Sequence, residues 1–135
     1  MNFNVKRSCF FVGLPLLLAS IQANAETLRL ICPYTYSIDA QAKQTPTSGD
    51  AFFTIDYDTK GVASIRKEGL GAIFTGTVSE DEIRGEAKYE IGELRITETL
   101  FINRYTGAMT LSHSAPDGRG LIFYGKCRTA KDRLF

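Results

Sequence analysis

Glu82–Leu111, EIRGEAKYEIGELRITETLFINRYTGAMTL, decides the fold. Over its first limb Ile83, Gly85, Ala87, Tyr89 and Ile91 fall on one parity, and Arg84, Glu86, Lys88 and Glu90 on the other. Successive side chains of a strand point to opposite faces, so this limb has one dry face and one wet face. Gly92-Glu93 reverses the chain, Leu94–Ile102 runs back beside it, and Tyr105-Thr106-Gly107 reverses it again into Ala108–Leu111. Three consecutive antiparallel strands make a meander whose dry face needs covering, and the sequence on either side has the pattern to do it.

Upstream, Glu26–Cys32 alternates and reads as an opening strand, with a pause or bulge at Pro33, which lacks a ladder amide. Tyr34, Tyr36 and Ile38 extend it along one face. Residues 39–50, DAQAKQTPTSGD, are polar and read as the longest loop. Ala51–Tyr57 and Val62–Lys67 form a hairpin about Asp58-Thr59-Lys60-Gly61, and Ala72–Val78 follows a reversal at Glu68–Gly71. Downstream, Pro116-Asp117-Gly118 turns the chain into a last alternating strand, Leu121–Cys127, ahead of a polar tail at 128–135. About eight short strands at regular spacing predict an all-β domain, a single antiparallel meander forming a small barrel or a curled sandwich.

The first 25 residues read as a cleaved signal peptide: basic Lys6 and Arg7, the apolar run Cys9–Leu18, and Ala23-Asn24-Ala25 as the cleavage site. The product, residues 26–135, is expected to be one periplasmic or secreted domain with no stable membrane insertion. Of the 16 basic and 15 acidic side chains in the whole chain, Lys6 and Arg7 leave with the leader, so the remainder is close to neutral. That balance gives no long-range attraction for nucleic acid or an anionic membrane. Cys32 and Cys127 remain, near the two ends, and in an oxidising compartment they are expected to form a disulfide joining the first strand to the last.

Two resemblances add to this reading. The segment Ser79-Glu80-Asp81-Glu82-Ile83-x-Gly85, then Ile102-x-Arg104-x-Thr106-Gly107, then Gly125-x-Cys127 and a basic tail ending in Phe135, resembles the C-terminal half of small uncharacterised exported, periplasmic proteins of Gram-negative bacteria. It implies an address and a β fold, and no activity. Ser48-Gly49-x-x-Phe52 and Thr59-Lys60-Gly61-x-Ala63 are similar, in diluted form, to two motifs of periplasmic inhibitors of C-type lysozyme, with Phe52 standing where that family has tyrosine. That similarity implies that Ser48 and Lys60 would reach a partner's catalytic carboxylates.

Chemistry-bearing motifs are sparse. HExxH, paired CxxC and calcium-loop spacings are missing, no Gly-rich loop leads from a strand into a helix, and no cofactor is expected. The lone histidine, His113, has no G-x-S-x-G elbow with it and is expected at the surface. Glu98 shares the parity of Leu94, Ile96, Leu100 and Ile102, which would aim a carboxylate at the dry interior. A bulge near Thr97–Thr99 that swaps the faces is the expected resolution, with Arg104 as the partner for a structural or ligand ion pair with Glu98, or else with Asp81. The sequence therefore predicts a non-catalytic binding or interaction module, with an unknown protein partner or a small apolar ligand. An inhibitor would act through the 39–50 loop and the 58–61 turn. An apolar-ligand carrier would use room left by Gly85, Ala87 and Gly125 beside Phe53, Tyr89 and Phe123. An enzyme, with His113 or Glu98, ranks third.

Overall fold

The computed structural model describes residues 25–130; residues 1–24, which hold all but the last residue of the expected signal peptide (1–25), and the end of the tail, 131–135, lie outside the described residues. Among the described residues there are ten strands and no helix. They are β1 (Glu26–Asp39), β2 (Gln44–Pro46), β3 (Asp50–Tyr57), β4 (Val62–Lys67), β5 (Ile73–Val78), β6 (Glu82–Ile91), β7 (Leu94–Asn103), β8 (Ala108–Ser114), β9 (Gly120–Lys126) and β10 (Arg128–Thr129). Strands β3 to β9 pair sequentially and antiparallel. Strand β1 pairs with β3 over Glu26–Pro33 and with β9 over Tyr34–Asp39, so the sheet closes on itself as an eight-stranded barrel of β1 and β3–β9. Closure removes the exposed edges that an open meander of this length would present.

One strand can serve both neighbours because β1 is 14 residues long and bends in the middle. Its register against β9 shifts between Tyr34 and Tyr36, one residue beyond Pro33. The bulge corrects the expectation of one continuous face: the extra residue turns the parity over. Tyr34 packs against the core beside Phe123, at 4.9 Å between ring centroids, whereas Tyr36 stacks on Tyr124 on the other face at 4.7 Å.

The 39–50 segment is less of a loop than its composition suggests. The Asp39 carboxylate accepts hydrogen bonds from the amides of Gln41 and Lys43, which folds the chain back so that β2 pairs with Tyr36–Ile38. In the same way the polar tail is tied down at its start, where Arg128 and Thr129 pair with Ile31 and Leu30. Cys32 and Cys127 are disulfide-bonded, linking β1 to the residue that follows β9, and Cys32 is fully buried.

The alternation read from the sequence sets the core. Ile83 and Ala87 of β6, Leu100 and Ile102 of β7, Met109 and Leu111 of β8, and Phe53, Ile55, Ile65 and Phe74 of β3–β5 are all buried. Phe101 sits on the outer face, where the Arg84 guanidinium lies 5.1 Å from its ring centroid. The small residues on the inward parity make room for neighbours. A Cβ added at Gly85 would come within 2.9 Å of Ile65 Cδ1, and one at Gly125 within 2.3 Å of the Pro33 carbonyl oxygen. Side chains and backbone therefore already occupy the space beside these two glycines, as is usual for barrels of eight strands.

Candidate functional site

Strand order assigns the connections to two rims. One rim carries the β3–β4, β5–β6 and β7–β8 turns; the opposite rim carries the β1–β3 connection and the β4–β5, β6–β7 and β8–β9 turns. The unusual chemistry sits inside the barrel toward the second rim, and it is built on Glu98. Strand β7 runs through Thr97–Thr99 without a bulge, with Thr97 opposite Lys88, Glu98 opposite Ala87 and Thr99 opposite Glu86. The alternation therefore holds, and the Glu98 side chain points inward and is 0% exposed. The expected face swap does not occur, because neutralising the carboxylate in place leaves the ladder intact.

Two neighbours hold it. Lys67 is the last residue of β4 and follows Ala63 and Ile65 on the inward parity, so its stem crosses the interior and its Nζ donates to Glu98 Oε1 at 3.0 Å. His113 lies directly opposite Glu98 in the β7–β8 ladder, with Nε2 2.6 Å from the same oxygen. His113 is thus half-buried and joined to an acid, a correction to its expected place at the surface. Burial pushes the Glu98 carboxyl up, but hydrogen bonds and charge from His113 and Lys67 outweigh it and hold the group below its ordinary value. Glu98 is ionised at neutral pH.

The other oxygen, Oε2, is sealed from solvent and accepts no hydrogen bond of acceptable geometry. Tyr34 and Tyr89 both feel the charge of the same carboxylate. Burial raises both phenols first, and the Glu98 charge raises them further; hydrogen bonding between the Tyr89 hydroxyl and the carboxylate adds to the rise at Tyr89. The Phe123 ring bridges Tyr34 and His113, 4.9 Å and 5.5 Å away between centroids. His113 also lines a cleft of ≈ 240 Å³ with Leu94, Ile96 and Leu121, and Tyr89 and Ile96 line a second one of ≈ 480 Å³ under the β8–β9 turn. A buried carboxylate with an unmet acceptor, held by the Lys67 ammonium and the His113 ring nitrogen, can bind a donor group. His113 against a carboxylate could also move a proton.

Sign and pH follow from the pKa direction. A carboxyl held lower in the folded state than in the unfolded chain adds stability that is present above the unfolded value, ~4.3. That stability is lost as pH falls through the folded value. The unfolding free energy is expected to drop between neutral pH and pH ~3, and the drop to be smaller in Glu98→Gln, as measured by urea denaturation at each pH. An equal drop in both proteins would remove Glu98 from the acid response.

Arg104 is not part of this cluster. It follows β7 at the opposite rim, six residues from Glu98, or roughly 20 Å along an extended strand. Its guanidinium donates to the Ser79 carbonyl oxygen at 2.6 Å and its amide to the Asp81 carbonyl oxygen at 2.8 Å, while the Asp81 carboxylate accepts from the Tyr105 hydroxyl. The expected pairings of Arg104 with Glu98 or with the Asp81 carboxylate are therefore corrected: the guanidinium ties one turn to another. Ser48 and Lys60, both exposed, lie beyond opposite ends of β3, so they sit on opposite rims. A partner engaging both would have to span that strand. Lys60 instead shares a cleft with Glu26, Tyr57 and Arg104. Lys67 was missed from sequence, and its signal was the inward parity it shares with Ala63 and Ile65.

The class defined by these features is a closed eight-stranded antiparallel β-barrel, pinned by one disulfide, with a buried ion cluster near one end. Compared with known protein families, curated proteins and solved structures, the chain matches none.

Proposed function

We propose that this chain is an exported, non-catalytic binding module, periplasmic or secreted, that works through the barrel end holding Glu98. The observation that carries the reading is Glu98 itself: an ionised, fully buried carboxylate with one oxygen unpartnered. Buried charge is a poor route to stability, since apolar side chains of similar size usually serve as well or better. Its placement beneath a rim with adjoining clefts supports a binding role, and the Cys32–Cys127 bond is compatible with an oxidising compartment.

The test is native mass spectrometry of protein purified from the exported fraction, comparing wild type with Glu98→Met. The expected result is a small molecule retained by the wild type and lost from the variant, with both shown folded by circular dichroism. A variant that retains the same molecule, or a wild type that carries none from any fraction or extract, would count against the site.

A further inference from the structure

At the rim away from Glu98, the β7–β8 turn and the chain end that follows β9 frame a cleft of ≈ 290 Å³. Its base is aliphatic: Leu28 and Leu30 of β1, Ile83 of β6 and Ile102 of β7 line it. Leu30, Ile83 and Ile102 belong to the core and Leu28 packs against it half-buried, so the cleft opens onto the end of the barrel's apolar filling. Among the described residues, the charged side chains that line it are both arginines, Arg104 and Arg128. Both are exposed, and neither forms an ion pair with a described carboxylate. Arg104 gives one N–H to the Ser79 carbonyl oxygen, and a guanidinium has five. Asp81 accepts from the Tyr105 hydroxyl and does not line the cleft.

The frame is tied in place. Asn103 Oδ1 accepts from the amides of Tyr105 at 2.9 Å and Thr106 at 3.0 Å, and the Gly107 amide donates to the Asn103 carbonyl oxygen. The Gly107 carbonyl oxygen accepts from the amide of disulfide-bonded Cys127 at 2.7 Å. Gly107 has φ +77°, and a Cβ there would lie 2.5 Å from the Cys127 carbonyl oxygen, so the turn and the chain end meet only because this residue is glycine. A cleft whose walls are fixed beforehand loses little to ordering when it is filled.

We infer that this cleft is a binding site for short aliphatic carboxylates, with the chain on Leu28 and the core side chains beneath it and the head group on Arg104 and Arg128. A cation would be repelled there, a neutral chain would leave the guanidinium groups unused, and a small anion would leave the aliphatic base uncovered. The volume lies at the lower edge of ligand pockets, roughly 300 Å³, which suits a short chain. The site is on the other rim from Glu98 and stands independently of the role proposed for that residue.

Octanoate, acetate and 1-octanol separate the two halves of the inference. Each is titrated into the purified protein while the amide resonances of Thr106, Gly107 and Arg128 are followed by NMR. The expected result is saturable shifts with octanoate, and binding at least ~10-fold weaker both with 1-octanol, which lacks the charge, and with acetate, which lacks the chain. In Arg128→Gln, a substitution at an exposed side chain, octanoate is expected to bind about 10-fold more weakly and 1-octanol to change by less than about 2-fold. Equal affinities for octanoate and 1-octanol, or for octanoate and acetate, overturn the inference. So does octanoate binding unchanged by Arg128→Gln, or the absence of saturable shifts at these three amides.

Discussion

Replacing Lys67 by Met is expected to lower the unfolding free energy by about 3 kcal/mol, although Lys67 is the last residue of its strand and keeps some contact with solvent. The long apolar stem is retained in methionine, so the loss comes from the ammonium. Without it Glu98 keeps its burial and has His113 as its remaining contact. Removing one member of a buried pair leaves a charge that protein cannot solvate, which is why the single substitution costs more than the pair contributes. Converting both residues, Lys67→Met with Glu98→Met, is therefore expected to recover most of the loss. Urea denaturation of the four proteins in this cycle measures the coupling directly. Additive effects would mean that the 3.0 Å contact has no energetic content.

The second large effect is expected at the disulfide. Cys32 and Cys127 are separated by 95 residues, so their bond restricts almost the whole described chain in the unfolded state. The chain-entropy relation puts that restriction at about 4–5 kcal/mol. The double variant Cys32→Ala/Cys127→Ala should lose about that much, with a steeper denaturant dependence because the unfolded chain exposes more surface. The reason is one of topology. Strand β1 is shared between β3 and β9, so the closing seam pairs the beginning of the described chain with its end. Such pairing carries the largest loop-closure cost in the barrel. A loss below about 1 kcal/mol would show that the seam's hydrogen bonds close the barrel unaided.

Local pattern carried most of the architecture and little of the site. The alternation in β6 and β7 is a property of consecutive residues, and it placed Ile83, Ala87, Leu100 and Ile102 in the core. It also aimed Glu98 inward, where it is found. Its partners could not be read the same way, because Lys67 reaches it across the barrel from a strand 31 residues away and closure is not a local property. Arg104 is a cation that could bind a carboxylate beside the Thr106-Gly107 turn, but six residues of strand separate it from Glu98 and carry it to the other rim. His113 lay on the inward parity of Met109 and Leu111, and that signal outweighs the general habit of a lone histidine to sit outside. The β1 bulge depends on how a long strand divides itself between two neighbours, and composition is silent on that.

The central claim is that an ionised, sealed carboxylate is held inside this barrel by Lys67 and His113. The most direct test is the ¹³C titration of the Glu98 side-chain carboxyl in the folded protein. The account predicts a midpoint below the ordinary glutamate value, moving up in Lys67→Met. A midpoint at or above the ordinary value in the wild type, unmoved by that substitution, would contradict it.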